Sequence, residues 1–292
     1  MSRLTMCKML VQNELSAGQV IGGAYKVVRS LGSGSAGTVY EVEDVRNGNK
    51  LALKAFTPRK GDLSLLKKKF IAEARILATL DAPNIVKVYD SGIDDATKLP
   101  YFVMDEVVYK DELPHTLDDV DIDSLDEDFV KTWFEDLTAA LDYVHSMQII
   151  HRDIKGGNVL LRPDKHVMLS DFGLSKVINE ELSEELQIPR TVVSFAKNGS
   201  AMAEAVKGSA AYMAPEVARG EPATRNSDVY SLGVVFFRLL TGLWHEPGTY
   251  IADMFSERKY RWDKVLPWML SDNPKERPYK VSGLVRLLAR AE

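Results

Sequence analysis

Three glycines near the start of the chain have the spacing of a phosphate-binding loop. Gly32, Gly34 and Gly37 form the pattern G-x-G-x-x-G-x-V within residues 31–39. Because glycine has no Cβ, backbone N–H groups in such a loop can approach a polyphosphate closely. An ordinary hairpin turn explains the three glycines equally well. A strand-like sequence follows the third glycine, where a dinucleotide-binding fold needs a helix, and this argues against a Rossmann domain.

Lys54 is the next residue suited to phosphate chemistry. It lies seventeen residues after Gly37, inside an apolar strand-like run at 51–56. Burying an unpaired ammonium is costly, so this lysine needs a nearby anion unless it lies on the solvent face of the sheet. Glu73, on a predicted helix, is one candidate partner, and the phosphates of a nucleotide are the other.

The first hundred residues show the sequence patterns of the strands and the helix that must position these residues. Short β-branched or aromatic runs at 25–31, 38–43 and 51–56, separated by glycine- and asparagine-rich turns, predict an antiparallel meander, and two further strand-like runs follow at 85–89 and 100–104. Apolar residues at helical spacing predict a helix over 63–80. The sequence therefore predicts a small sheet that carries one helix.

The remainder of the chain is predicted to be mainly helical. Ser124 and Glu127 form a capping-box pattern before a long amphipathic helix. An apolar helix over 228–240 is predicted to end at Gly242, and a terminal amphipathic helix is predicted over 281–291. We expect an α+β chain with a β-rich lobe, a larger α-rich lobe and a cleft between them.

Composition excludes several classes of protein. The 292 residues include 37 Lys and Arg against 42 Asp and Glu, and a net charge of −5 argues against a basic nucleic-acid binder. No run approaches the roughly 20 apolar residues that span a bilayer, so we expect no membrane segment. The single cysteine, Cys7, fits a reducing compartment, and we expect a cytoplasmic protein. Eleven acidic residues within 105–128 predict a solvated linker and favourable charges at a helix N-terminus.

Two later motifs carry the strongest signal in the sequence. One is His-Arg-Asp-x-Lys-x-x-Asn over 151–158, and the other is Asp-Phe-Gly over 171–173, with Ala-Pro-Glu following at 214–216. Their order after the glycine loop, Lys54 and Glu73 resembles that of the eukaryotic-type (Hanks-type) Ser/Thr protein kinases. The resemblance covers about residues 20–290, which is nearly the whole chain.

This resemblance implies a bilobal protein-kinase-like fold. It has a small antiparallel β lobe with one helix and a larger, mainly helical lobe. The implied domains are an N-terminal extension (1–20), an N-lobe (21–104), a hinge (105–112) and a C-lobe (113–292), with an activation segment over 171–216.

The resemblance also implies catalytic roles within phosphoryl transfer from ATP. Asp153 would orient the acceptor hydroxyl and take its proton, and Lys155 would contact the γ-phosphate. Asn158 and Asp171 would hold Mg²⁺, with Mn²⁺ as the alternative ion, because oxygen ligands suit a hard cation. Lys54 would bind the α- and β-phosphates while paired with Glu73.

Other residues would bind the nucleotide by the same resemblance. Met104 is similar to the gatekeeper residue of the family. Val39, Ala52 and Leu160 would sandwich the adenine. Plain core packing explains each of these residues equally well. The full implied set is Gly32, Ser33, Gly34, Gly37, Val39, Ala52, Lys54, Met104, Asp105, Val107 and Leu160, with Asp105 and Val107 offering backbone groups.

The activation segment gives regulatory candidates. Arg152 would pair with a phosphate on this segment, and the candidate phosphorylation sites are Thr191, Ser194 and Ser200. Ser209 fits the position that helps to recognise the acceptor residue, and a turn hydroxyl is its alternative. Glycines at 156 and 157 stand where many arginine-directed kinases carry Pro and Glu, so one local reason for a basic substrate is missing.

The sequence thus predicts an ATP-dependent Ser/Thr protein kinase, including autophosphorylation. The expected partners are ATP and a protein substrate of unknown identity, with no nucleic acid. One alternative is a pseudokinase that serves as a nucleotide-binding scaffold, against which the presence of Lys54, Glu73, Asp153, Asn158 and Asp171 argues. The other alternative is a small-molecule phosphotransferase, but enzymes of that class lack the activation segment closed by Ala-Pro-Glu that this sequence contains.

Overall fold

The computed structural model consists of two compact units, each described here by itself. The structure describes residues 14–34, 37–58, 63–108, 115–172, 175–177, 183–184, 186–187 and 210–288. The first unit takes its described residues from 1–78 and 87–107, and the second from 79–86 and 108–292. The expected α+β class is confirmed, because the first unit is built on a sheet and the second is mainly helical.

A six-stranded antiparallel sheet forms the first unit. Its strands are β1 (Val20–Ile21), β2 (Tyr25–Ser33), β3 (Thr38–Asp44), β4 (Lys50–Ala55), β5 (Val88–Ile93) and β6 (Pro100–Met104). Their spatial order is β1-β2-β3-β4-β6-β5, so β5 is an edge strand. One helix, α1 (Leu63–Ala78), accompanies the sheet.

Side chains cover the sheet of the first unit on two faces, as the two-residue period of its strands requires. Tyr101 and Val103 of β6 belong to an apolar cluster with Leu15 and Ile21, which come from the segment before β2. Phe102, between them in sequence, packs on the other side, where its ring centroid lies 5.1 Å from that of Phe70 on α1. The strands that carry the predicted phosphate-binding residues are therefore held from both sides.

The second unit is organised around long helices. They are α2 (Glu127–Ser146) and α4 (Arg225–Thr241), with the short helices α3 (Pro215–Ala218) and α5 (Leu266–Met269). Phe134 of α2 and Phe236 of α4 pack edge to face at 5.0 Å, and Trp262 lies 5.4 Å from Phe134. Gly242 ends α4 in the left-handed region with a φ of 71°, as predicted.

Short strands and 3₁₀ turns complete the second unit. The strands are β7 (Ile149–Ile150), β8 (Val159–Leu161), β9 (Val167–Leu169) and β10 (Lys176–Val177), where β8 pairs with β9 and β7 with β10. The 3₁₀ turns are Leu117–Asp119, Ile122–Ser124, Gly156–Asn158, Ala210–Tyr212, Ala252–Phe255, Trp262–Lys264 and Ser282–Leu287. None of the helices in the described ranges is long and apolar enough to cross a bilayer.

Some predicted features differ from the structure in their bounds or caps. The strand predicted at 85–89 begins only at Val88, because Ile85 and Val86 pair with Leu169 of the second unit. Helix α2 is capped by Asp126, whose carboxylate accepts from the N–H of Asp128. Ser124 does not cap it, because its hydroxyl donates to Asp121.

The predicted terminal α-helix is also wrong within its described part. Residues 282–287 form a 3₁₀ helix, with Leu284 donating to Val281 and Leu288 to Val285. Asp142 of α2 holds the start of this turn by accepting from the N–H groups of Val281 and Ser282. Residues 289–291 of the prediction lie outside the described residues.

The acidic segment is more than a solvated linker. Glu127 accepts from the N–H of Tyr260 at 3.0 Å and from Trp262 Nε1 at 2.8 Å, and so holds a distant segment against the start of α2. Asp119 accepts from the N–H and the hydroxyl of Thr116. Several of these acids therefore have structural contacts in addition to their favourable position near a helix N-terminus.

Candidate active site

The glycine loop is the hairpin between β2 and β3. Gly32 pairs with Val39 and Ser33 with Thr38, and the N–H of Gly34 donates to the carbonyl of Gly37 at 2.8 Å. A Cβ on Gly37 would lie 2.1 Å from the carbonyl oxygen of Ala55, which only glycine avoids. The third glycine is therefore required for close packing on β4, next to Lys54. Residues 35 and 36 lie outside the described residues.

Lys54 and Glu73 form an ion pair within the first unit. Lys54 Nζ donates to Glu73 Oε1 at 2.6 Å, and it also lies 5.6 Å from the ring centroid of Phe102. The Glu73 side chain is 3% exposed and that of Lys54 is 15% exposed. The strand β4 and the helix α1 thus bring together the two residues that sequence spacing paired.

The predicted adenine-binding residues of the first unit lie on neighbouring strands. Ala52 of β4 is paired with Met104 at the end of β6, and Val39 of β3 is paired with Lys54. Leu160 is in β8 of the second unit and is half-buried. Val107 is buried at the end of the first unit.

Asp105 fixes the chain just after β6, a role that the sequence did not reveal. Its carboxylate accepts from the N–H of Lys87 at 2.9 Å and from the hydroxyl of Tyr89 at 2.6 Å. Its own N–H donates to the carbonyl of Lys87. Since that N–H is engaged, the backbone group that Asp105 could offer to a base is its carbonyl.

The catalytic-loop residues converge on the carboxylate of Asp153. Asp153 Oδ2 accepts from Lys155 Nζ at 2.7 Å and from Asn158 Nδ2 at 3.0 Å. The amide of Asn158 also donates to the carbonyl of Asp153 at 2.7 Å. The turn Gly156–Asn158 places Asn158 there, and its side chain is buried. Three predicted residues are thus brought together in one unit.

A buried aspartate anchors the beginning of the catalytic loop. Asp228, 1% exposed, accepts from the N–H groups of His151 at 2.9 Å and Arg152 at 2.8 Å, and its Oδ2 lies 2.9 Å from His145 Nε2. Arg152 has a φ of 71°, a left-handed conformation that costs roughly 1–3 kcal/mol and persists only when its surroundings determine it. Burial lowers the pKa of the Arg152 guanidinium, and the charge of Asp228 partly opposes this shift.

Asp171 is linked to Asn158 through Ser170, which the sequence did not reveal. Both the N–H and the hydroxyl of Ser170 donate to the carbonyl of Asn158, at 2.9 Å each. Asp171 follows with a φ of 58°, another left-handed residue. The next residue, Phe172, is buried with its ring 4.6 Å from that of His151. The two candidate metal ligands therefore belong to one connected network.

These residues suit a magnesium–nucleotide complex better than a metal held by protein alone. In the described ranges, no three His, Cys, Asp or Glu side chains cluster so that they could hold a metal ion. Mg²⁺ usually binds through one or two carboxylates together with substrate phosphates, so one carboxylate and one amide are a fitting donor set.

The four activation-segment candidates Thr191, Ser194, Ser200 and Ser209 lie outside the described residues. At the end of this segment, Glu216 forms a sealed ion pair. Arg277 Nη1 and Nη2 donate to its two carboxylate oxygens at 2.7 and 2.8 Å, and Ser227 donates at 2.9 Å.

Comparison with known proteins identifies the class of domain. Residues 25–282 match the family model of the protein kinase domain. The chain therefore belongs to the protein kinase family, and the resemblance predicted from its motifs is confirmed.

The individual relatives are bacterial Ser/Thr protein kinases by name. The chain is 34% identical over 232 residues to the serine/threonine-protein kinase PknD of Chlamydia felis, which covers 74% of this chain and 24% of that protein. It is 32% identical over 228 residues to the probable serine/threonine-protein kinase PknB of Bifidobacterium longum, a match that covers 76% of this chain and 30% of that protein. For the serine/threonine-protein kinase PrkC of Bacillus subtilis the identity is 30% over 233 residues, and the match covers 77% of this chain and 31% of that protein. The chain spans about a quarter to a third of the length of these relatives.

Proposed function

We propose that this domain is an ATP-dependent Ser/Thr protein kinase. The observation that carries the proposal is the convergence of Lys155 and Asn158 on the carboxylate of Asp153, which fixes the orientation of a potential proton acceptor. The names of the relatives support a Ser/Thr acceptor.

In this proposal, Asp153 orients the acceptor hydroxyl and accepts its proton as the hydroxyl oxygen bonds to the γ-phosphorus. The bond from that phosphorus to the bridging oxygen breaks, and ADP leaves with the electron pair. The ammonium of Lys155, 2.7 Å from Asp153, contacts the γ-phosphate and stabilises its charge. Little covalent work falls to the protein, so positioning and charge supply most of the catalysis.

Lys54 binds the α- and β-phosphates, and Glu73 holds it in place. The glycine loop of Gly32, Ser33, Gly34 and Gly37 covers the phosphates with backbone N–H groups. By the family resemblance, Val39, Ala52 and Leu160 would sandwich the adenine, Met104 would be the gatekeeper, and Asp105 and Val107 would offer backbone groups.

Asn158 and Asp171 hold Mg²⁺, with Mn²⁺ as the alternative. When bound, the ion neutralises phosphate charge and orients the γ-phosphoryl group. The link through Ser170 supports this assignment, because it keeps the two ligands in a fixed relation.

Regulation in this proposal depends on Arg152. Its guanidinium forms none of the ion pairs found among the described residues, although Arg152 is more than half buried, so an anion would stabilise it. A phosphate on Thr191, Ser194 or Ser200 is the anion we propose, and Ser209 is proposed to assist recognition of the acceptor. Autophosphorylation would supply that phosphate.

The proposed setting is the cytoplasm, where ATP is abundant, and a single cysteine fits its reducing conditions. The domain boundaries implied by the family resemblance, including an activation segment over 171–216, are kept as part of this proposal.

The test is transfer of label from γ-labelled ATP to a generic basic protein and to the chain itself, with Mg²⁺ or Mn²⁺. Asp153→Asn keeps the size of the side chain and should reduce transfer by about 10²–10⁴-fold, because the proton acceptor is lost. Asp123→Asn, at an exposed acid of the second unit, is the matched control and should leave transfer unchanged.

Absence of transfer by the unaltered protein with either metal would overturn the kinase proposal. Nucleotide binding without transfer would then favour the scaffold alternative. Equal activity in Asp153→Asn would overturn the role of Asp153.

A further inference from the structure

One carboxylate outside the kinase motifs contacts three parts of the second unit. We propose that Asp118 is a positioning residue that holds the catalytic loop in its active place through contact with Gly156. This inference rests on the proposed kinase activity and assigns a role to a residue of the acidic segment.

The backbone around Asp118 is attached directly to the strand that follows the catalytic loop. The N–H of Leu161 in β8 donates to the carbonyl of His115 at 2.8 Å, and Thr116 forms a β-bridge with Leu160. Leu117 is buried at 3% exposure. Asp118 therefore starts from a fixed backbone position beside the loop.

The carboxylate of Asp118 fills the space next to two glycines. A Cβ on Gly156 would lie 2.3 Å from Asp118 Oδ1 and 2.9 Å from its Cγ, which is closer than real Cβ contacts. At Gly157 the corresponding distance to Asp118 Oδ2 would be 3.1 Å. Gly156 is thus explained, because a side chain there cannot coexist with Asp118 in this position, whereas a Cβ at 157 would require Asp118 to shift by only a few tenths of an ångström.

Two further segments hold Oδ1, the same carboxylate oxygen that lies closest to Gly156. Arg238 Nη1 of α4 donates to Asp118 Oδ1 at 2.8 Å, and the hydroxyl of Tyr212, which lies four residues before Glu216, donates at 3.0 Å. Arg238 also donates to the Tyr212 hydroxyl and lies 4.4 Å from the ring centroid of Trp244. Two donors, one of them a guanidinium stacked on an aromatic ring, therefore hold this oxygen, although 40% of the Asp118 side chain is exposed to solvent.

The hydroxyl of Tyr212 is suited to remain a hydrogen-bond donor to Asp118. Burial raises the pKa of its hydroxyl, and the charge of Asp118 raises it further, so the proton stays on the phenol. The carboxylate cannot move away from Gly156 without losing its hydrogen bonds to Tyr212 and Arg238.

The contact matters because Gly156 begins the turn that carries Asn158. The amide of Asn158 in turn holds the carboxylate of Asp153. A shift of about 1 Å at reacting groups can cost about 10²-fold in rate. Asp118 thus acts on Asp153 through the turn and needs no contact with ATP.

The test is a double-mutant cycle with Asp118→Ala, Gly156→Ala and the combined variant. We expect kcat to fall about 10-fold in Asp118→Ala and about 100-fold in Gly156→Ala, with the KM for ATP changed less than about 2-fold. The combined variant should recover to the level of Asp118→Ala, because the added methyl group then enters the vacated space. Asp123→Ala removes the same charge from an exposed position of the same segment and should change nothing.

The same cycle can be measured by thermal unfolding, which needs no activity. Gly156→Ala should lower the melting temperature by about 2–8 °C in the original background and by less than about 1 °C in the Asp118→Ala background. If the two substitutions add in both kcat and melting temperature, or if Asp118→Ala retains full kcat, the inference is overturned. If the unaltered protein has no kinase activity but the unfolding cycle shows the coupling, the proposed function fails and the contact stands as structural, which also overturns the positioning role.

Discussion

Two ion pairs, one in each unit, use a carboxylate in different ways. In the second unit, Glu216 and Arg277 are sealed, with side chains only 4% and 0% exposed. In the first unit, Glu73 is equally buried but Lys54 keeps 15% of its side-chain surface in contact with solvent. A closed pair can contribute only to the fold, whereas a pair with an accessible cation can also bind an anion.

The choice of cation agrees with this difference. The planar guanidinium of Arg277 binds both oxygens of Glu216 and also donates to the carbonyls of Asn226 and Ser271. The ammonium of Lys54 is a compact charge on a flexible stem, which suits a mobile phosphate ligand better than a fixed fork. A substitution that conserves charge should therefore lower activity at Lys54 and lower stability at Arg277.

The largest effect is expected at Lys54. Lys54→Arg keeps the positive charge near Glu73 but presents it in a different geometry, so kcat/KM for ATP should fall about 10²-fold. The melting temperature should change by less than about 2 °C, and calorimetric unfolding checks this. Retained activity would show that phosphate binding here needs only a charge.

The converse substitution, Arg277→Lys, should lower stability while activity per folded molecule stays near normal. Lysine cannot make the bidentate contact or reach both carbonyls, and we expect a loss of about 2–3 kcal/mol in the free energy of unfolding. Denaturant titration measures it. As a comparison, Glu221→Ala breaks an exposed pair with Arg219 and should cost less than about 1 kcal/mol. Equal losses in the two variants would contradict the distinction between sealed and exposed pairs.

The smallest effect is a pH dependence at the sealed pair. Burial by itself would raise the pKa of Glu216, but hydrogen bonds from Arg277 and Ser227 outweigh it and hold the pKa below the ordinary 4.5. The stability from this ionised carboxylate is therefore fully present above pH 4.5 and is lost as the pH falls through the lower, folded-state value.

Glu216→Gln removes the titrating group at this pair. The difference in unfolding free energy between the original protein and this variant should be largest near neutral pH and should shrink as the solution is acidified below pH 4.5. Denaturant titrations across the acid range measure it. A difference that stays constant would mean that the ionisation of Glu216 contributes nothing.

Local patterns predicted most of the elements that carry the site. The strand at Pro100–Met104 and the end of α4 at Gly242 follow directly from residue type and spacing. The pairing of Lys54 with Glu73 could be proposed because a buried lysine requires an anion.

Contacts between distant residues could not be predicted in this way. Asp118 meets Tyr212 and Arg238, which are 94 and 120 residues later, and nothing in the acidic segment distinguishes it from the other acids around it. Several polar residues in a row offer alternative caps for α2, so the sequence pattern favours Ser124, and only the structure shows that Asp126 fills this role. Ser170 was missed because a serine before an aspartate has no distinctive pattern.

The segment before β2 has a practical consequence for preparing the domain. The match to the family model begins at residue 25, yet Leu15, Ile21 and Ala24 lie inside an apolar cluster with Tyr40 and Val42. The N–H of Leu15 also donates to the hydroxyl of Tyr40 at 3.0 Å. A protein shortened to residue 25 would present this apolar face to water and would tend to aggregate. Recombinant versions should therefore start well before residue 25, where the match to the family model begins.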